Sequence, residues 1–272
     1  MSGRGVGAAW WAAAMCVVLL GTGAAFAGDP IAVPQIADSE SGTQRIEFIG
    51  SGELLYNMSW TMTRADEGGR KSWRYHLDGD NGKTGAARIT WVEDAVYDLL
   101  PEGLRTRWWK KVSSGAEQET WELRFDWAAK SAAYKYEDRA SGKTENTTVK
   151  FGDNTYPLDA MNFLLRGLPF EKGPGTSLTG SFVMTDGTLL SGSMVLIGEE
   201  KVETPIGTFN AYKVQLKPKG LVGAVAPDMF MWFAKAAPHA WLRYDGRDDG
   251  LTSPRTRNVL TKYEPRATLG GK

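Results

Sequence analysis

Beyond residue 16 this sequence has no cysteine. The single cysteine of its 272 residues, Cys16, stands inside an N-terminal apolar run. The rest of the chain can therefore form neither a disulfide nor a thiolate metal site. Histidine is almost as scarce, with only His76 and His239. A histidine-rich metal centre is thus poorly supplied, and a Ser-His-Asp triad would have to recruit one of these two rings. Net charge is lacking too, with 32 basic and 32 acidic residues. That removes the counterion-release term that drives nucleic-acid binding, and no long run of one sign suggests a charged tail. Nor is there the stretch of roughly 20 apolar residues that a membrane-spanning helix needs.

The one sustained apolar run, Ala8 to Leu20, opens the chain. Arg4 and the amino terminus precede it, Gly21-Thr22-Gly23 breaks it, and Ala25-Phe26-Ala27 places small residues where a signal peptidase cuts. Residues 1–27 read as a cleavable export signal, with the working protein starting at Gly28 in the periplasm. Met15 is too bulky for the position before a lipidated cysteine, so Cys16 reads as part of the apolar core. No transmembrane span is expected after cleavage.

Period-two alternation dominates the remainder of the chain. Tyr56-Asn57-Met58-Ser59-Trp60-Thr61-Met62-Thr63 alternates apolar and polar without a break, and Trp121-Glu122-Leu123-Arg124-Phe125-Asp126-Trp127 does so again; this marks half-buried antiparallel strands. Turn chemistry punctuates the chain at Glu67-Gly68-Gly69, Asp78–Gly82, Ser141-Gly142, Asp186-Gly187, Pro205-Ile206-Gly207 and Asp245-Gly246. The expected fold is mainly β: about a dozen strands in an antiparallel meander curled into an open or closed barrel, with one short central helix. The helix is placed at Leu158–Arg166, after Pro157 and before Gly167, with Leu158, Met161 and Leu165 on one face. Too short to be stable alone, it must lean on strands from both sides. The domain plan is a flexible leader at 28–44, one β-barrel-like domain at 45–264 and a disordered tail at 265–272.

Several stretches resemble the bacterial envelope family known as domain of unknown function 3108. They are Gly52-Glu53-Leu54-Leu55-Tyr56-Asn57-Met58-Ser59-Trp60, the central Pro157–Leu165 segment, Val202-Glu203-Thr204-Pro205-Ile206-Gly207-Thr208-Phe209-Asn210-Ala211-Tyr212-Lys213-Val214, and Met231-Trp232-Phe233. The resemblance implies a signal-bearing periplasmic antiparallel sheet, similar to lipoprotein carriers with an open half-barrel, and implies no known reaction.

No catalytic constellation emerges from the residues. His76 shares the polar face of a strand with Arg74, and His239 follows Pro238 in a loop; neither has a nucleophile elbow nearby. Asp78-Gly79-Asp80-Asn81-Gly82 has oxygen ligands at calcium-loop spacing but lacks a bidentate glutamate in register, and reads as a hairpin turn. Asp245, Asp248 and Asp249 form an acidic loop interrupted by Arg247. No catalytic residue, metal ligand or cofactor is assigned.

The aromatic load says more. Nine tryptophans come after the signal, several on apolar strand faces beside methionines 58, 62, 229 and 231. Lining a curved sheet, such residues suit a broad, adaptable apolar surface. The candidate ligand-binding residues are Tyr56, Met58, Trp60, Trp121, Leu123, Phe125, Met231 and Phe233. In Trp108-Trp109 the two rings must point to opposite faces, so one could meet a membrane surface or a partner. The expected function is a non-enzymatic periplasmic binding or carrier protein for an apolar or lipid-like ligand, acting in envelope maintenance with an envelope protein as partner. Two alternatives are a carboxylate-dependent hydrolase of envelope glycans and a structural interaction module.

Overall fold

A computed structural model describes residues 31–67, 69–100, 103–220, 228–247 and 253–266. The export signal and its cut lie outside these residues, as do Asp248, Asp249 and the tail beyond Arg266. The described residues form fifteen strands: β1 (Ser39–Phe48), β2 (Leu54–Glu67), β3 (Arg70–Asp80), β4 (Ile89–Leu100), β5 (Gly103–Gly115), β6 (Glu119–Asp126), β7 (Ser131–Asp138), β8 (Lys143–Lys150), β9 (Thr155–Pro157), β10 (Ser177–Val183), β11 (Leu189–Thr204), β12 (Gly207–Pro218), β13 (Met229–Ala234), β14 (Trp241–Gly246) and β15 (Thr256–Arg266).

All fifteen belong to one sheet, ordered β8-β7-β6-β5-β4-β3-β2-β1-β15-β14-β13-β12-β11-β10-β9. Neighbours pair antiparallel, apart from the parallel contact of β9 with β10. The sheet does not close by hydrogen bonding: β8 and β9 are its two edges. It nevertheless curls, because the turn between β10 and β11 comes round to β7, where Gly187 lies against the Tyr134 ring so tightly that a Cβ would sit 2.7 Å from it. Edge strand β8 (KTENTTVK) is exposed along nearly its whole length. Its lysines and polar residues discourage pairing with another chain.

Alternation decides which side chains face the concave interior. On β2 the inward set is Tyr56, Met58, Trp60 and Met62, with Asn57, Ser59, Thr61 and Thr63 outward and exposed. Glycine makes room where rings cross the wall. A Cβ on Gly79 would sit 2.2 Å from the Trp91 ring, and one on Gly42 would meet Trp60 at 2.8 Å.

The central segment is helical, as expected, but irregular: 3-10 turns at Leu158–Ala160 and Leu165–Gly167 flank a single α turn at Met161–Leu164, here α1, and another 3-10 turn covers Phe170–Lys172. Its apolar residues Ala160, Met161, Phe163, Leu164, Leu165, Leu168 and Phe170 are all buried. Phe163 packs on Trp60, Tyr75 and Tyr97 from one half of the sheet. Phe170 stacks on Tyr212 at 4.3 Å and contacts Phe233 from the other half. The segment therefore plugs the interior between the two halves and supplies the core that joins them.

The leader assigned to 28–44 ends sooner than its composition suggests. Ser39-Glu40-Ser41-Gly42 is polar and lacks an alternating pattern, yet it is the start of β1. Long-range partners specify it: the Glu40 carboxylate, fully buried, accepts two hydrogen bonds from Arg166 Nη1 at 3.0 and 2.8 Å, and Gly42 admits the Trp60 ring. Residues ahead of β1 also dock, since Ala32 N–H donates to the Gly167 carbonyl at 2.7 Å. At the other end, β15 runs on to Arg266, two residues past the expected boundary.

Candidate functional site on the inner wall

The eight residues proposed to contact a ligand all lie on inward-facing strand positions, but they divide by depth. Trp60, Leu123, Phe125 and Phe233 are buried core, sealed by the central segment and by neighbouring rings; Phe125, for example, stacks on Trp127 at 5.2 Å. Tyr56, Met58, Trp121 and Met231 are only partly buried. Tyr56, Met58 and Trp121 lie toward the end of the interior away from the central segment, where Tyr56 meets Trp91 edge-on at 5.2 Å and Trp121 contacts Tyr136 at 5.5 Å. Met231 lies across the sheet, in register with Val214 and Tyr244.

Polar groups missed by the sequence reading stand within this aromatic wall. The inward set of β4 continues from Trp91 through Glu93 and Ala95 to Tyr97, and Glu93 pairs in register with Lys111 of β5. The Lys111 ammonium lies 5.0 Å from the Trp91 ring and 5.5 Å from the Trp121 ring, a cation held between two indole faces. Its ion-pair partner among the described residues, Glu93, is 4.0 Å away, beyond hydrogen-bond reach. The signal for this lysine was available: Trp109 is 3 % exposed on the inner face, so strand period two puts Lys111 there as well. Trp108 accordingly faces outward, where its Nε1 donates to Glu122 at 3.2 Å and Arg124 covers its ring.

Further along the wall, the Tyr136 hydroxyl donates to Glu119 at 2.6 Å. Burial raises the Glu119 pKa, partly opposed by that bond. On the central segment, Asp159 accepts from Thr106 Oγ1 at 3.2 and 3.1 Å. Burial pushes its carboxyl up to about 7, against the pull of Thr106 and the neighbouring Tyr97 hydroxyl, while Glu93 adds a further upward push. The Tyr75 and Tyr97 hydroxyls are shifted upward by burial in the same pocket of rings.

The other singled-out residues fall elsewhere. His76 is exposed on the outer face between Asp94 (2.8 Å) and Asp78 (3.2 Å), whose carboxylates raise its pKa, the Asp94 hydrogen bond most. His76 and Asp78, with Ser41, Thr43, Ser59, Thr61 and Lys262, edge an open hollow of ≈ 180 Å³. The Asp78–Gly82 stretch builds a turn: Asp80 accepts from Gly82 N–H, and Asn81 Oδ1 accepts from the Lys83 and Ile89 N–H groups. His239 packs against Phe170 and Tyr212. Asp245 is buried in bonds from Arg243 and Arg257. Among the described residues no three His, Cys, Asp or Glu side chains converge as a metal site, and no helix is long and apolar enough to cross a membrane.

The profile of DUF3108, described as a protein of unknown function, matches residues 52–249, from the start of β2 past the end of β14. The chain belongs to the DUF3108 family. In this family member the matched region includes the central segment and both walls of the interior. No curated protein matches the sequence. Among solved structures, a β-barrel-like protein of domain of unknown function DUF1849 from Brucella abortus is similar at TM-score 0.50 and 6 % identity, over 86 % of this chain and 100 % of that one; the likeness is one of fold alone. A protein from Bacteroides fragilis described as exported, with a YmcC-like fold, gives TM-score 0.38 at 8 % identity over 87 % of this chain and 100 % of its own. One from Parabacteroides distasonis described as a lipoprotein gives 0.36 at 10 % identity over 86 % and 99 %.

Proposed function

We propose that this DUF3108 protein is a periplasmic, non-enzymatic binding or carrier protein for an apolar, lipid-like ligand, acting in maintenance of the cell envelope. The observation that carries the reading is the division of the inner wall. Trp60, Leu123, Phe125 and Phe233 are sealed, whereas Tyr56, Met58, Trp121 and Met231 on the same inward faces keep contact with solvent. Partly covered aromatic and methionine side chains on a concave surface offer adaptable apolar contact area. The N-terminal pattern of residues 1–27 supports the export half of the proposal.

Native mass spectrometry of the protein purified from its own envelope, with titration of the apolar dye 1-N-phenylnaphthylamine, tests it. A co-purified lipid-mass adduct is expected, together with dye fluorescence that Trp121→Ala and Met58→Ala lower while Thr61→Ala, on the outer face, does not. A protein free of adduct that leaves the dye dark overturns the reading.

A further inference from the structure

We infer that the ligand is an amphiphile with one anionic head group, and that Lys111 is the residue that receives that group. The inference rests on the carrier function proposed above, and three observations carry it. The inward neighbours of Lys111 on β5, Trp109 and Ser113, are buried, as are Thr106 and Leu104 further along the strand. A lysine in this row must desolvate part of its stem and keep its ammonium within the wall, which costs stability unless something compensates. Next, the ammonium is held in place: indole faces flank it at 5.0 and 5.5 Å, so it is a positioned charge and not a side chain sweeping through solvent. Lastly, it is unsaturated. Among the described residues its three donors find the Glu93 carboxylate at 4.0 Å, with Glu119 acting on it only through space, and make no hydrogen bond, while a quarter of the side chain stays open.

Its surroundings suit a guest whose remainder is apolar. Tyr56, Met58 and Trp121 continue the wall beside it. An acyl chain lying on those residues places a terminal carboxylate or phosphate where a charge-assisted hydrogen bond to Lys111 Nζ can form, with short N–O contact replacing the long approach to Glu93. Glu93 then acts as the resident counter-ion that an incoming anion displaces. The outward neighbour Lys110, one residue away on the opposite face, has no such setting and serves as the control.

Displacement of 1-N-phenylnaphthylamine by decanoate, decyl phosphate and 1-decanol tests the assignment on the full mature chain. The native protein should release dye to decanoate and decyl phosphate at about tenfold lower concentration than to 1-decanol, in line with one charge-assisted bond. Lys111→Met keeps the stem and apolar bulk, and should abolish that preference while leaving 1-decanol unchanged. Lys111→Arg should retain it, Glu93→Gln should strengthen it, and Lys110→Met should have no effect. Equal displacement by all three amphiphiles, or a preference that survives in Lys111→Met, overturns the head-group assignment while leaving apolar binding intact. Dye that never binds the native protein defeats the underlying carrier function instead. A preference for decanoate alone or decyl phosphate alone supports the assignment and identifies the anion. If Lys111→Met does not fold, Glu93→Gln decides alone: unchanged selectivity overturns the assignment.

Discussion

Replacing Asp159 by asparagine should make the protein more stable at pH 8 and leave it unchanged at pH 4. The carboxyl titrates near its ordinary 3.8 in the unfolded chain and at about 7 in the folded one, chiefly because it is buried beside Thr106 and Tyr97. Between those values the folded state binds more protons than the unfolded state, so stability falls as pH rises through the window. At about 1.4 kcal/mol per pH unit, three units set a ceiling of about 4 kcal/mol. As a residue Asp159 is only partly buried, and screening by nearby solvent brings the expected difference to roughly 2 kcal/mol. Asparagine is always neutral, and its carbonyl oxygen keeps the Thr106 bond. The stability gap between variant and native protein should therefore open from near zero at pH 4 to this value at pH 8. Urea unfolding at pH 4, 5, 6, 7 and 8 measures it, and the comparison cancels the contributions of the other titrating groups. Parallel pH profiles for the two proteins would refute the reasoning.

Other substitutions probe the joints of the fold. Phe163→Ala should cost about 3–5 kcal/mol in urea unfolding, because its ring is the plug between Trp60, Tyr75 and Tyr97. Arg166→Met alone should cost about 3–5 kcal/mol by stranding the buried Glu40 carboxylate. Adding Glu40→Leu should recover most of that loss, a double-mutant comparison that fails if the two changes simply add. Gly79→Ala should cost about 1–3 kcal/mol and shift the tryptophan emission, since its Cβ would overlap the Trp91 ring; unaltered stability and spectrum would contradict it.

Strands with a local signature were readable from sequence. Those alternating without interruption, β2 and β6, needed no tertiary information, and the Pro205-Ile206 turn between β11 and β12 carries its own chemistry. The first four residues of β1 have no such signature, because what holds them is Arg166 and Trp60, 126 positions away in the case of Arg166. Strand β8 is an edge, polar from Lys143 to Thr148, so alternation marks only its end, around Thr147–Phe151, where Val149 packs on the core. The inner wall shows the same limit. Parity identifies which residues face inward, Lys111 included, but the depth of each depends on where the central segment docks. Trp60 and Met58 look alike in sequence, but Phe163, with Tyr75 and Tyr263, covers the first. The raised pKa of Asp159 likewise comes from its burial in the assembled interior, which no local pattern announces.

The pairing of β1 with β15 makes the order of assembly unusual. Strands that are consecutive in the chain can zip as they appear, yet the middle of the sheet joins its first strand to its last, with Thr43 bonded to Thr261 across 218 positions. Each half can form hairpins early, but the seam waits for the end of the chain, and such distant contacts slow folding. Under the export proposed above this ordering is useful, because a sheet whose keystone is β15 stays incomplete, and so threadable, until that strand has been delivered. A circular permutant that links Arg266 to Ser39 and opens the chain between β8 and β9 would make the seam local, and should refold faster than the native protein without losing the sheet.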